Sequence, residues 1–132
     1  MRAVAPVFQV YRFGSDTSVW WRMVSTNGRG LARTAYAHES VDEARAAIGV
    51  VGIRAAELEA SLRLTERARW HWALSLAGVP VVESTNDLDR RVRCDHAWRT
   101  FVALAPISQI DPVVHTYRAV VGARPAALRG AG

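Results

Sequence analysis

Trp20 and Arg22 stand two residues apart in the run VWWRMV, which begins at Val19. On a strand, side chains two apart point to the same face. Such a pair, joined by Tyr11 from the preceding run, would make an aromatic and cationic platform for stacked bases or sugars. Arg29 and Arg33 follow closely and, with Arg12, could add groove and phosphate contacts. The competing use of these residues is scaffold: a surface aromatic packed under the tail or against a partner subunit. Trp21 points the other way and, with Met23, reads as core.

Metal and hydrolytic chemistry find less support. Cys94-Asp95-His96 is a short run of possible ligands, but a structural zinc site needs four ligands at suitable spacing. His38, His71 and His115 are scattered. There is no G-x-S-x-G, no glycine-rich phosphate loop and no H-E-x-x-H. Asp87 and Asp89 lie in the polar run STNDLDRR and read as solvated turn residues. No catalytic residue, cofactor or metal is assigned, and the chain is not expected to be an enzyme.

Bulk properties set the frame. Half of the 132 residues are hydrophobic and 22% are charged, as in an ordinary globular domain. The net charge is +5, and every basic residue is arginine. Arginine and alanine without lysine are what a GC-rich coding bias produces, so the high isoelectric point carries little weight. The excess is also thinly spread, +2 over 1–53, +1 over 54–104 and +2 over 105–132. No block is the dense basic arm of a nucleic-acid or membrane-surface segment. Cys94 is the single cysteine, which fits a reducing compartment. The N-terminal run lacks the apolar length of a signal peptide, and no stretch approaches the ~20 apolar residues that span a bilayer. The expected setting is cytoplasmic.

The elements that would position these residues occur twice. FQVYRF and VWWRMV alternate as strands. Asn27-Gly28 is a strong hairpin signal, expected as a type I′ turn, and GLARTAY returns as a third strand. Ser40 three residues before Glu43 makes a capping box. Ala44, Ala47, Ile48 and Val51 then share a helical face, with Gly52 expected to end the helix. Placing Trp21 on Trp72 puts Met23 on Leu74 and Leu31 on Val82. Ala44 then falls on Ala97, Ile48 on Phe101 and Val51 on Leu104, with two extra residues taken up in STNDLDRR. Recurrence at this spacing reads as an internal duplication. Arg93 then matches Ser40 and cannot cap, so Asp95 is the expected cap. Pro80 is expected at a strand start or an edge.

The copies span about 7–53 and 54–105, in one domain over 1–105. Residues 106–132 form an extension. In it Asp111-Pro112 reads as an N-cap followed by Pro at the first helical position, which predicts a helix over 112–121 and a disordered tail beyond.

Strand, turn, aromatic strand, Asn-Gly turn, strand and a helix of the pattern Y…S-x-x-x-A-x-x-x-I-x-x-V together resemble the YegP-like family of small uncharacterised bacterial and archaeal proteins. Phe8, Tyr11, Trp21, Asn27, Gly28, Tyr36, Ser40, Ala44, Ile48 and Val51 carry the likeness. Trp72, Gly78, Ala97, Phe101 and Leu104 carry it more weakly in the second copy. The resemblance implies an α+β fold of two tandem β3-αβ repeats. These join into one antiparallel sheet, exchange the strands after their helices and place both helices on one face. Single-copy members build the same arrangement as a homodimer. The chain departs from the pattern at Ala47, where the family has glycine, in its lack of lysine, in two inserted residues after Tyr36 and in its extension. The family supplies no catalytic residues to carry over.

Two functions are compatible with this reading. The first is a non-enzymatic structural or interaction module, which binds an unknown protein or self-associates. The second, less favoured, is nucleic-acid binding through a face bearing Tyr11, Trp20, Arg22, Arg29 and Arg33. A three-stranded sheet backed by a helix like VDEARAAI is also similar to plant ethylene-response-factor domains and to recombinase arm-binding domains. A membrane partner is not expected.

Overall fold

The computed structural model describes residues 6–14 and 16–118. Its strands are β1 (Val7–Phe13), β2 (Val19–Val24), β3 (Gly30–Thr34), β4 (Glu59–Leu64), β5 (Trp70–Leu76), β6 (Val79–Ser84) and β7 (Gln109–Tyr117). Helix α1 (Val41–Ile53) lies between β3 and β4, and α2 (Arg91–Leu104) between β6 and β7. A single 3-10 turn follows each helix, at Ala55–Glu57 and at Ala105–Ile107.

The strands form one seven-stranded sheet in the order β4-β5-β6-β3-β2-β1-β7. The sheet is mixed, not wholly antiparallel as the sequence suggests, because β7 runs parallel to β1. A parallel neighbour requires a crossover connection, and α2 lies between β6 and β7.

β7 replaces the helix expected over 112–121. The Asp111-Pro112 signal does act locally, since the Val113 N–H donates to Asp111 Oδ1 at 3.0 Å. The chain nevertheless continues extended. Ile110 and Val114 stand opposite Phe8 and Val10 and pack on the core. An isolated helix of this length is marginal, whereas six residues of the nine-residue β7 pair with β1. The end of the expected helix and the tail beyond it lie outside the described residues.

Turn chemistry differs from expectation in an instructive way. A type I′ turn needs positive φ at both central residues. Gly28 has φ 82°, but Asn27 does not have positive φ. The Gly28 N–H bonds to the Ser25 carbonyl at 2.9 Å and the Ser25 N–H to the Arg29 carbonyl at 2.8 Å. This is the three-residue hairpin with a left-handed glycine that forms a bulge. The type I′ conformation occurs instead at Ala77-Gly78, with φ 51° and 81°, between the paired residues Leu76 and Val79. Pro80 sits next to the start of β6, opposite Ser75 and beside a register shift whose extra residue is Val81.

Ser40 caps α1 as its spacing predicts, accepting from the Glu43 N–H at 3.1 Å. The Glu43 carboxylate accepts from the Glu39 N–H at 3.0 Å. Gly52 does not end the helix. It lies inside the last turn, where a β-carbon would stand 3.2 Å from the Ala105 carbonyl oxygen, so its lack of a side chain permits close approach of two backbones.

Helix α2 begins at Arg91, with Arg90 as an N-cap lacking a side-chain bond. Asp95 is therefore inside the helix, where it accepts from Trp98 Nε1 at 3.0 Å and Arg99 Nε at 2.9 Å. Ala44, Val51 and Ala55 follow the start of α1 at the same intervals as Cys94, Phe101 and Ala105 follow that of α2, three residues from the pairing of Ala44 with Ala97 suggested by the sequence. A turn is 3.6 residues, so a shift of three keeps nearly the same apolar face, and periodicity alone does not separate the two alignments.

One apolar cluster joins Phe8 and Val10 of β1, Trp21 and Met23 of β2, Trp72 and Leu74 of β5, and Val82 of β6. Ala44, Ile48 and Val51 of α1 and Cys94 and Phe101 of α2 belong to it as well. Trp21, Trp72, Ile48 and Phe101, read from the sequence as core, are at most 3% exposed.

Candidate functional site

Strand alternation puts Gln9, Tyr11, Phe13, Trp20, Arg22, Arg33, His71 and Glu83 on the sheet face opposite Trp21. One row of directly opposed residues crosses it: Gln9 to Arg22, Arg22 to Arg33, Arg33 to Glu83, Glu83 to Ala73, and Ala73 to Ser61.

The sequence-predicted platform is assembled here, but it is not bare. Trp20 is 7% exposed and Tyr11 8%, and both join Phe13 and Ala37 in a second apolar cluster. Tyr117, from the end of β7, stands 6.0 Å from the rings of both Tyr11 and Phe13. Arg22 lies between the two tyrosines, its guanidinium 4.8 Å from the Tyr11 ring centre and 5.5 Å from that of Tyr117. It donates to Gln9 Oε1 at 3.0 Å and to the Tyr117 hydroxyl. Stacking on a base needs an accessible ring face, whereas Tyr11, Phe13 and Trp20 are buried and the rings of Tyr11, Phe13 and Tyr117 pack edge-on or tilted against one another.

Arg33 is also enclosed. Its Nε donates to Glu83 Oε2 at 2.9 Å, with side chains 10% and 22% exposed. Glu83 in turn lies 3.6 Å from His71 Nε2. On the other side of the ring, Nδ1 is 2.9 Å from Asp87 Oδ1 and 3.0 Å from Ser84 Oγ. Hydrogen bonding towards Glu83 raises the His71 pKa above its ordinary value; Asp87 adds to this, while burial and Arg63 oppose it. Burial alone would raise the carboxyl of Glu83, but His71 and the Arg33 guanidinium outweigh it and hold it below the usual range. Arg33, Glu83, His71 and Asp87 thus form a chain of alternating charge when His71 is protonated. Sequence spacing conceals this network, because Arg33 and Glu83 meet only through the pairing of β3 with β6.

Arg29 takes no part in it. It lies in the β2–β3 loop and, with Gly30 and Leu31, lines a cleft against α2. The cleft measures about 620 Å³, and Arg93, His96 and Phe101 line it from the helix. A smaller cleft of about 180 Å³ lies beside α1, lined by Trp21, Thr34, Tyr36 and His38 among others. Burial lowers the His38 pKa, against the pull of Glu43, so its imidazole is neutral at pH 7. The Cys94 thiol is fully buried, and burial with Asp87 and Asp95 nearby pushes its pKa up to about 11. A thiol of this kind is a poor nucleophile or ligand. His115 pairs with Asp111 at 3.3 Å. No three potential ligands are grouped to hold a metal among the described residues. No helix among them is long and apolar enough to cross a membrane.

No family model matches the chain, and no curated protein matches it. Solved structures match it by shape. YegP of E. coli, a protein of unknown function, superimposes with a TM-score of 0.66 at 15% identity, over 91% of this chain and 99% of that one. The fold is that of YegP. A UPF0339 protein of Shewanella oneidensis superimposes with a TM-score of 0.63 at 8% identity, over 86% of this chain and 92% of that one. The resemblance read from Trp21, Asn27, Ser40 and their neighbours is therefore met at the level of fold.

Proposed function

We propose that the chain is a non-enzymatic interaction module, made of two β3-αβ units fused in tandem with both helices over the Trp21 face. Parallel details support the duplication. The bridge between Val19 and His38 is matched by that between Trp70 and Leu88. Ala44, Val51 and Ala55 are matched by Cys94, Phe101 and Ala105, all buried and each pair fifty residues apart. Arg33 and Glu83 are also fifty apart and directly opposed, so their pair lies on the pseudo-two-fold axis between the units. In a homodimer, a residue on that axis faces its own copy, and Arg would face Arg. A fused chain is free to place Arg against Glu. The helices' buried residues, joined in one cluster with Trp21 and Trp72, support their lying on the same face. The lone, buried Cys94 accords with a reducing, cytoplasmic setting.

The observation that carries the non-enzymatic reading is the engagement of charge at the centre of the Arg22 face. Arg22, Arg33, Glu83, His71 and Asp87 each hold a partner within the chain. A general acid, base or phosphate contact needs a group directed at a ligand. Nothing in this arrangement favours nucleic acid, since the stacking residues are buried and the central arginines engaged. Fluorescence anisotropy with a labelled duplex and a labelled single strand at low salt tests the reading. Weak binding, unchanged by Trp20→Ala or Arg22→Ala, is expected. Submicromolar binding that disappears in either variant overturns it.

A further inference from the structure

Resting on the interaction-module reading, we propose that two copies of this chain associate through the outer edges of their β4 strands, in antiparallel register, to form one continuous sheet.

The two edges of the sheet are built differently. β7 carries Pro112 and a register shift against β1. Proline lacks a backbone donor, and irregularity blunts an edge. β4 has neither. Its pairs run without a shift from Glu59 opposite Ser75 to Leu64 opposite Trp70. Among the described residues β5 is its one strand neighbour. The backbone groups on its outer side therefore present an open ladder, the feature that templates strand addition. β1 has β7 beside it, and the corresponding place beside β4 holds no strand among the described residues.

The β4 sequence, EASLRL, identifies the occupant. Glu59, Ser61 and Arg63 share one face, with Arg63 opposite His71, and Ala60, Leu62 and Leu64 share the other, with Leu62 opposite Trp72. Two copies related by a two-fold axis normal to the sheet keep these faces aligned. Opposed residues must then have positions of the same parity. Centring the pair on Ser61 sets Glu59 against Arg63 of the second copy and Ala60 against Leu62 of the second copy, and symmetry repeats both contacts. Moving the centre to Leu62 opposes Ser61 to Arg63 instead and loses both charge pairs. Opposite charges directly across strands are favourable and like charges unfavourable. Neither Glu59 nor Arg63 makes an ion pair among the described residues, so both are available. The same register sets Leu64, 56% exposed, opposite position 58 of the second copy, where its exposed surface is partly covered by the approaching chain. A two-fold contact of this kind closes on itself and stops at a dimer.

Sedimentation equilibrium on the full chain tests the proposal. The wild type is expected to show a concentration-dependent monomer–dimer equilibrium. Glu59→Arg or Arg63→Glu alone should weaken it about tenfold by opposing like charges twice. The double variant Glu59→Arg/Arg63→Glu should restore it, and mixing the two single variants should yield a heterodimer that neither forms alone. Ser61→Lys, which sets two cations against each other on the axis, is an independent disruptor. A wild type that stays monomeric to about 1 mM, or a dimer indifferent to these substitutions, overturns the proposal. Monomeric behaviour without nucleic-acid binding removes the edge contact and leaves the module reading intact. Nucleic-acid binding removes that reading whatever the oligomeric state.

Discussion

Arg33 of β3 and Glu83 of β6 face each other at 2.9 Å in the middle strands of the sheet. Their contact is a side-chain ion pair across the junction between the first three strands and the next three. Removing one partner from a largely buried pair leaves the other charge uncompensated, whereas replacing both by apolar residues of similar volume is far less costly. Arg33→Met is therefore expected to destabilise the fold by about 2–3 kcal/mol. Arg33→Met with Glu83→Leu should recover most of that loss. Urea unfolding of the two single variants and the double variant measures the coupling.

Stability should depend on pH through the same network. His71 has a raised pKa in the folded state. Its contribution is complete below the unfolded value of about 6.5 and is lost as pH rises through the folded value. Glu83 has a lowered pKa. Its contribution is present above the unfolded value, about 4.3, and is lost as pH falls through the folded value. The network thus contributes most between these limits. His71→Asn should remove the part of the alkaline decline that begins above about pH 6.5 and leave the effect of His38 unchanged. Burial lowers the pKa of His38, so its contribution falls on the acid side. Unfolding midpoints across pH 5 to 9 for wild type and variant give the comparison.

The two helix starts differ in one group. Ser40→Ala should cost about 1 kcal/mol, because the Glu43 N–H loses its acceptor. Arg90 supplies no side-chain cap to α2, so Arg90→Ser should gain about 1 kcal/mol. An unchanged denaturation midpoint in the first variant contradicts the role of Ser40, and in the second it contradicts an uncapped start at Arg91.

Ala68 has φ 59°. It closes a three-residue hairpin in which the Ala68 N–H bonds to the Thr65 carbonyl at 3.0 Å. A left-handed conformation costs an alanine roughly 1–2 kcal/mol, and glycine offsets part of this by its freedom when unfolded. Ala68→Gly is therefore expected to raise stability by about 0.5–1 kcal/mol. Gly28→Ala, at φ 82° in the matching loop between β2 and β3, should lower it by about 1 kcal/mol. Thermal unfolding of the two variants should shift in opposite directions.

Local pattern determined much of this protein. Alternation in VWWRMV assigned Trp21 to the core and Trp20 to the other face because successive side chains on a strand oppose one another. The spacing from Ser40 to Glu43 set the start of α1 because the cap bond spans that interval. The recurrence of Trp21 at Trp72 picked out two core tryptophans, both buried. Tertiary pairing decided the rest. Asp111-Pro112 can open a helix, and only the edge of β1 drew Val113 to Tyr117 into β7 instead. The helical face of α2 reads nearly alike three residues apart, so only the packed structure showed Cys94, the fourth residue of α2, to be buried as Ala44 is in α1. Tyr11 and Trp20 look like a platform until Tyr117, brought back beside β1 from the other end of the chain, packs on Tyr11 and Phe13. Arg33 and Glu83 carry no mark of each other, because charge attraction acts through space and the fold alone brings residues fifty positions apart within 2.9 Å.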